Sequence, residues 1–162
     1  MNNARIPAML FAHNATPYSD LALAVLNARN DLFVATCNNA RSALHCIDSN
    51  KENGPDIIIV TNQLHHGDEL SPDVTNNRQR TGEAIYARVR MIPGHESTPV
   101  IIVTMRSEEI HHLENLNDPN LTAILADTFA IDTAITGTIQ RFFPNWGEPL
   151  IPCEEVVLDT AT

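Results

Sequence analysis

Positive charge is scarce in this chain of 162 residues: ten lysines and arginines face twenty aspartates and glutamates, a formal net charge of −10. Direct binding to DNA or RNA would have to overcome that repulsion, and no basic stripe is present to do it, so nucleic acid is disfavoured as a partner. Long apolar runs are missing as well. None approaches the ~20 residues needed to cross a bilayer, and the opening Met-Asn-Asn-Ala-Arg-Ile-Pro lacks the apolar stretch of a secretory signal. The expectation is a cytoplasmic protein with no membrane partner. Cysteine is rare: Cys37, Cys46 and Cys153 are odd in number and not in metal-ligand spacing, which points to reduced thiols. No Ser-His-Asp or Cys-His arrangement stands at informative spacing, so a catalytic triad is not supported and a non-enzymatic protein is expected.

What the chain does have is 43% hydrophobic residues, enough to bury a full core, and a regular alternation of strand-like and helix-like segments. Ala8–Ala12 is a short apolar run. Thr16 before Pro17 suits a helix N-cap with proline at the first helical position, and Leu21, Ala24, Val25 and Ala28 follow at helical spacing. Leu32–Thr36 reads as a second strand, and Asn39 as the cap of a helix carrying Ala40, Leu44 and Ile47. Ile57–Val60 is apolar at every position, as a central parallel strand covered on both faces should be. The polar stretch 62–80 is long for a connection inside a compact domain. Thr81-Gly82-Glu83 opens another helix, and Pro99–Thr104 is a fourth strand. Ser107 is expected to cap a helix bearing Ile110, Leu113 and Leu116, with Glu108 and Glu109 at its positive end. Leu121–Ala126 is a fifth strand, and Asp132 caps a last helix with Ile135, Ile139 and Phe142. Five strand-helix repeats predict an α/β fold with a doubly wound five-stranded parallel sheet, flavodoxin-like, in three layers. The domain is expected over 1–143, with a tail at 144–162.

In such a sheet, ligands collect at the carboxyl ends of the strands. There the phrases Met9–Ala12, Pro55–Val60 ending on Thr61, Thr81-Gly82-Glu83, Pro99–Thr104 and Ile124–Phe129 occur in order. Together they resemble the receiver domain of response regulators in two-component signalling. The resemblance implies a pocket at His13, Asn14, Thr61, Thr104 and Asp127, with Ile124 at the switch position. It also shows how far the pocket departs from the family. The acidic pair that holds Mg²⁺ corresponds to His13 and Asn14, the phosphoacceptor aspartate to Thr61, the lysine to Asp127, and the aromatic switch residue to Ile124. Only Thr104 keeps the family's residue type. An acyl phosphate needs a carboxylate, and Mg²⁺ prefers carboxylates and water. Asp56 cannot stand in for Thr61, because about five residues at roughly 3.3 Å each separate the two ends of the strand.

The resemblance therefore implies a stand-alone pseudo-receiver that acts by phosphorylation-independent protein binding. Its partner is a histidine kinase or another regulator, or a second copy. The contact face, by resemblance, carries Ile110, Leu113, Leu116, Ile135 and Ile139. No cofactor and no metal are expected. The pairs His65-His66 and His111-His112 read as solvated histidines without evident partners, and Asp68, Glu69 and Asp73 as a solvated acidic face. The turn His13–Ser19 has no glycine to admit a phosphate. The alternative is a flavodoxin-like domain, an enzyme or a binder of a small molecule or metal, that uses His13, Thr61, Thr104 and Asp127 as a polar pocket.

Overall fold

A computed structural model describes residues 8–13, 33–49, 55–64, 80–126 and 131–144. The expected helix at Leu21–Ala28, most of the 62–80 connection and the tail beyond Pro144 lie outside the described residues. Five strands form one parallel sheet: β1 (Ala8–Ala12), β2 (Phe33–Cys37), β3 (Ile57–Thr61), β4 (Val100–Thr104) and β5 (Leu121–Leu125), in the order β2-β1-β3-β4-β5. Four helices are described: α1 (Ala40–Ser49), α2 (Thr81–Val89), α3 (Ser107–Glu114) and α4 (Ile131–Phe142). This is the doubly wound flavodoxin-like sheet, with strand order reversing at β1 and β3.

The two faces follow from the period of two along each strand. Met9, Phe11, Ile57, Ile59, Ile101, Val103 and Ile124 pack beneath Ile135 and Ile139 of α4. Leu10, Ala12, Ile58, Val60, Val100 and Ile102 face the other way, against Ala43 and Ile47 of α1, Ile85 and Val89 of α2, and Leu113 of α3. Because helices cover both faces, Ile57 to Val60 are all fully buried, which is why the strand is apolar without alternation.

Helix starts differ from expectation in an informative way. Asn39 does cap α1, its Oδ1 accepting the Ser42 amide at 2.8 Å. Ser107 does not cap α3. It is already the first helical residue, and Arg106 ahead of it is extended (φ −120°, ψ 117°) with no side-chain cap bond. Asp132 likewise stands inside α4, which begins at Ile131. Strand β2 runs one residue later than expected, to Cys37, in register with Ala12.

At the far end of the sheet, Asp56 fixes the start of β3 to β1: its carboxyl accepts the Ala8 amide at 2.8 Å, and its own amide donates to Ala8 O at 2.6 Å. Arg90 ties the loops on that side. Its Nε donates to Asp118 Oδ2 at 2.8 Å, and its Nη atoms donate to Thr98 O at 2.8 Å, Asn120 O at 3.2 Å and His95 O at 3.3 Å. The guanidinium lies 4.9 Å from the Tyr86 ring centroid, and the Tyr86 hydroxyl donates to the same Asp118 oxygen at 2.6 Å. Burial pushes the Asp118 pKa up. Hydrogen bonds from Tyr86, the Asn120 amide and Arg90, with the charge of Arg90, outweigh it and hold the carboxyl below its ordinary value.

Replacing Arg90 by alanine takes one donor from the part-buried Asp118 carboxyl, which keeps Tyr86 and the Asn120 amide, and one from each of three carbonyls, and urea unfolding is expected to show a loss of about 2 kcal/mol. Lysine should recover little, because a single ammonium cannot reproduce the guanidinium fork. Since the folded Asp118 pKa is depressed, its contribution is fully present above the unfolded value near 4 and is lost as the pH falls through the lower folded value. Asp118→Asn should remove that acid-side component, seen as a flatter dependence of the urea midpoint on pH below about 4.

Candidate functional site

Parallel register brings the carboxyl ends of all five strands to one edge. Ala12 pairs with Cys37 and Val60, Thr61 with Val103, and Thr104 with Leu125. His13, Cys37, Thr61, Asn62 and Thr104 therefore share that edge. Asn14 and Asp127 adjoin it in the chain but lie outside the described residues, as do His65, His66, Asp68, Glu69 and Asp73.

The His13 ring is half-buried and sits edge-on against Phe11 at 4.9 Å between centroids. Its amide donates to Cys37 O at 3.0 Å. Burial, and then the neighbouring Cys46, push the Cys37 thiol up to about 11, and a hydrogen bond from the Asn39 backbone offsets this only in part. A thiol so far above neutral pH is a poor nucleophile. The Thr61 hydroxyl is enclosed and has no hydrogen-bond partner among the described residues.

Beside it, two residues that sequence reasoning did not single out organise the edge. Asn62 is fully buried immediately after β3. Its carbonyl accepts the Thr81 amide at 2.7 Å and the Gly82 amide at 3.3 Å, and its Oδ1 accepts the Glu83 amide at 2.9 Å. It thus does for α2 what an N-cap residue does, from a different segment of chain. Arg80, which precedes the helix, makes no side-chain cap bond. Gly82 allows the approach: a Cβ there would stand 3.0 Å from Asn62 Cα and 3.1 Å from Thr61 O.

The other end of Asn62 meets Glu109. Asn62 Nδ2 donates to Glu109 Oε1 at 2.7 Å, and the Thr104 hydroxyl donates to the same oxygen at 2.5 Å. Glu109 is only 2% exposed, so its carboxyl is turned inward and does not serve as a solvated partner of the helix dipole. Thr104 Oγ1 also receives Gln63 Nε2 at 3.4 Å and the Arg106 amide at 3.3 Å. On the outer side, His112 Nε2 lies 2.8 Å from Glu83 Oε1 and links α3 to α2. His112 therefore has a partner that its sequence context did not reveal.

Neither a family model nor a curated protein sequence matches the chain. Solved structures do. The Mn²⁺-bound form of response regulator Rcp1 superposes with a TM-score of 0.61 at 13% identity, covering 91% of this chain and 99% of that one. A response regulator from Desulfuromonas acetoxidans gives 0.60 at 15% identity, over 85% and 96% of the two chains. The receiver domain of sensor histidine kinase PA1611 from Pseudomonas aeruginosa, with magnesium in its active-site cleft, gives 0.58 at 14% identity, over 86% and 99%. The chain has the receiver-domain fold.

At the carboxyl ends of β1 and β3 the described residues offer an imidazole at His13 and a hydroxyl at Thr61, and no carboxylate. Among the described residues no three His, Cys, Asp or Glu side chains are grouped to hold an ion. These described donors are not the carboxylates that Mg²⁺ prefers. Ile124, expected at a switch position by resemblance, is an 8% exposed core residue packed with Ile135 and Ile139. The expected contact face needs correction. Leu113 is 2% exposed and Ile135 and Ile139 are fully buried, because they are the side chains that seat α3 and α4 on the sheet. Of the five, Ile110 is half-buried and Leu116 is exposed.

Gly82→Ala is expected to destabilise the protein by about 1 kcal/mol in spite of alanine's better helix propensity, because every close neighbour of the new Cβ is backbone. Asn62→Ala should cost more, about 3 kcal/mol, since it leaves the Glu83 amide without its acceptor and removes a donor from a buried carboxyl. Chemical denaturation of both variants checks the order.

Proposed function

We propose that this chain is a receiver-like signalling module that acts by binding another protein and is not switched by phosphorylation at its third-strand position. The observation that carries this reading is Thr61, a threonine at the carboxyl end of β3, where transfer of phosphate from histidine to an acyl phosphate requires a carboxylate. Asp56 lies at the opposite end of the same strand, engaged with Ala8. Thr104, which would be needed by a ligand in the pocket, already gives its hydroxyl hydrogen to Glu109. That also weakens the alternative of a small-molecule pocket, which loses one of its four polar groups.

The partner is a histidine kinase or another regulator, and the contact runs along the outer side of α3. Met105, 57% exposed just before the helix, and Leu116, 42% exposed just after it, supply exposed apolar surface at its two ends, with the half-buried Ile110 between them in the chain. A second copy docking on the same face is the other form this contact takes.

Mass spectrometry of the full chain after incubation with acetyl phosphate and Mg²⁺ tests the reading. The mass is expected to stay unchanged, and amide NMR signals of Thr61 and Thr104 should not move with Mg²⁺ and beryllofluoride. A Mg²⁺-dependent gain of one phosphate would overturn it.

A further inference from the structure

A carboxyl group as buried as that of Glu109 costs several kcal/mol unless it is hydrogen-bonded. An apolar residue would be the neutral choice at this position, which is in helical phase with the buried Leu113. The charge-bearing group therefore has to be explained by what it holds. Two donors from two different strand ends converge on its Oε1: the Thr104 hydroxyl at the end of β4 and the Asn62 amide just after β3. Arg106 Nη1 lies 3.9 Å from its other oxygen. Through Asn62 Oδ1 the chain of contacts continues to the Glu83 amide in the first turn of α2. One connected path thus joins α2, the end of β3, α3 and the end of β4.

A hydroxyl has one hydrogen to give. The hydrogen of Thr104 is committed to Glu109, so any ligand at the strand ends can engage this donor only by breaking the contact with α3. We propose that Glu109 is an internal latch. It occupies Thr104 in place of an external ligand and, with Asn62, holds α2 and α3 in a single arrangement, so that the outer side of α3 is presented constitutively. This rests on the receiver-like reading above and adds how that surface is regulated: by an internal contact that stays closed.

Relaxation dispersion and hydrogen exchange on the full chain test the latch. Wild type should show flat dispersion across Thr81–Glu83 and Ser107–Leu113. Thr104→Val removes the donor while keeping the side chain's shape, and it should produce microsecond-to-millisecond exchange in both segments at once. The Glu83 amide should then exchange with solvent about tenfold faster. Glu109→Ala removes the acceptor of both Thr104 and Asn62, so it should do at least as much, and the double variant should add nothing beyond Glu109→Ala. If Glu109→Ala does not fold, Thr104→Val alone decides. Disturbance confined to α3, or flat profiles in Thr104→Val, would show that Glu109 merely packs α3 and would overturn the latch. Phosphate uptake plays no part in this readout, so the latch and the phosphorylation-independent reading can fail separately.

Discussion

The functional edge of this molecule depends on a single buried amide. Asn62 leaves the sheet where β3 ends, and a side chain enclosed there must satisfy both its donor and its acceptor. It does so in two directions: Oδ1 takes the Glu83 amide of α2, and Nδ2 donates to Glu109 of α3. Other features follow from that one placement. A Cβ at position 82 would crowd the backbone of Thr61 and Asn62, 3.0 Å from Asn62 Cα. Glu109 must turn inward because it is the acceptor for Nδ2. Thr104 then becomes the second donor to the same carboxyl.

This arrangement sits on a sheet whose layout is set by other residues. The core is built from residues that alternate between two faces, Met9, Phe11, Ile57 and Ile59 on one and Leu10, Ala12, Ile58 and Val60 on the other. Each is decided by apolar volume and strand phase, requirements that many sequences meet. That is how a chain with 13–15% identity to Rcp1 and the Desulfuromonas regulator keeps their strand layout. Beyond the last core residue of β3, Val60, the constraint changes from volume to chemistry. Thr61 and Asn62 can therefore depart from any relative while Ile57 to Val60 remain a strand. Fold and site are separable, so the fold alone carries no activity.

The same separation explains what was legible in the sequence. Strands β3 and β4 could be read because burial on both faces makes them continuous apolar runs. The role of Asn62 could not, since its partner is 47 residues away and an asparagine after a strand looks like a turn residue. Glu109 carried a signal that residue type obscured: it stands four residues before Leu113, on the buried face of α3. Ser107 followed by two glutamates has the look of a cap, yet the extended Arg106 and the Thr104 hydroxyl that accepts its amide start this helix differently. Assigning Leu113, Ile135 and Ile139 to a contact face followed resemblance where helical phase already placed them in the core.

Thr104 shows how the surroundings of a hydroxyl decide its use. A threonine at the end of β4 offers one hydrogen, and its use depends on which acceptor is nearest. Where acceptors come from outside the chain, the hydroxyl reports on them. Here the nearest acceptor belongs to α3, at 2.5 Å, and it is buried too deeply to exchange freely with solvent. The described part of the edge also carries the His13 imidazole and the enclosed Thr61 hydroxyl, and neither is a carboxylate that could form an acyl phosphate. The Thr104 hydroxyl fastens the end of β4 to α3. A Thr104 hydroxyl left unpaired in this buried place would be a polar cost, and Glu109 removes that cost.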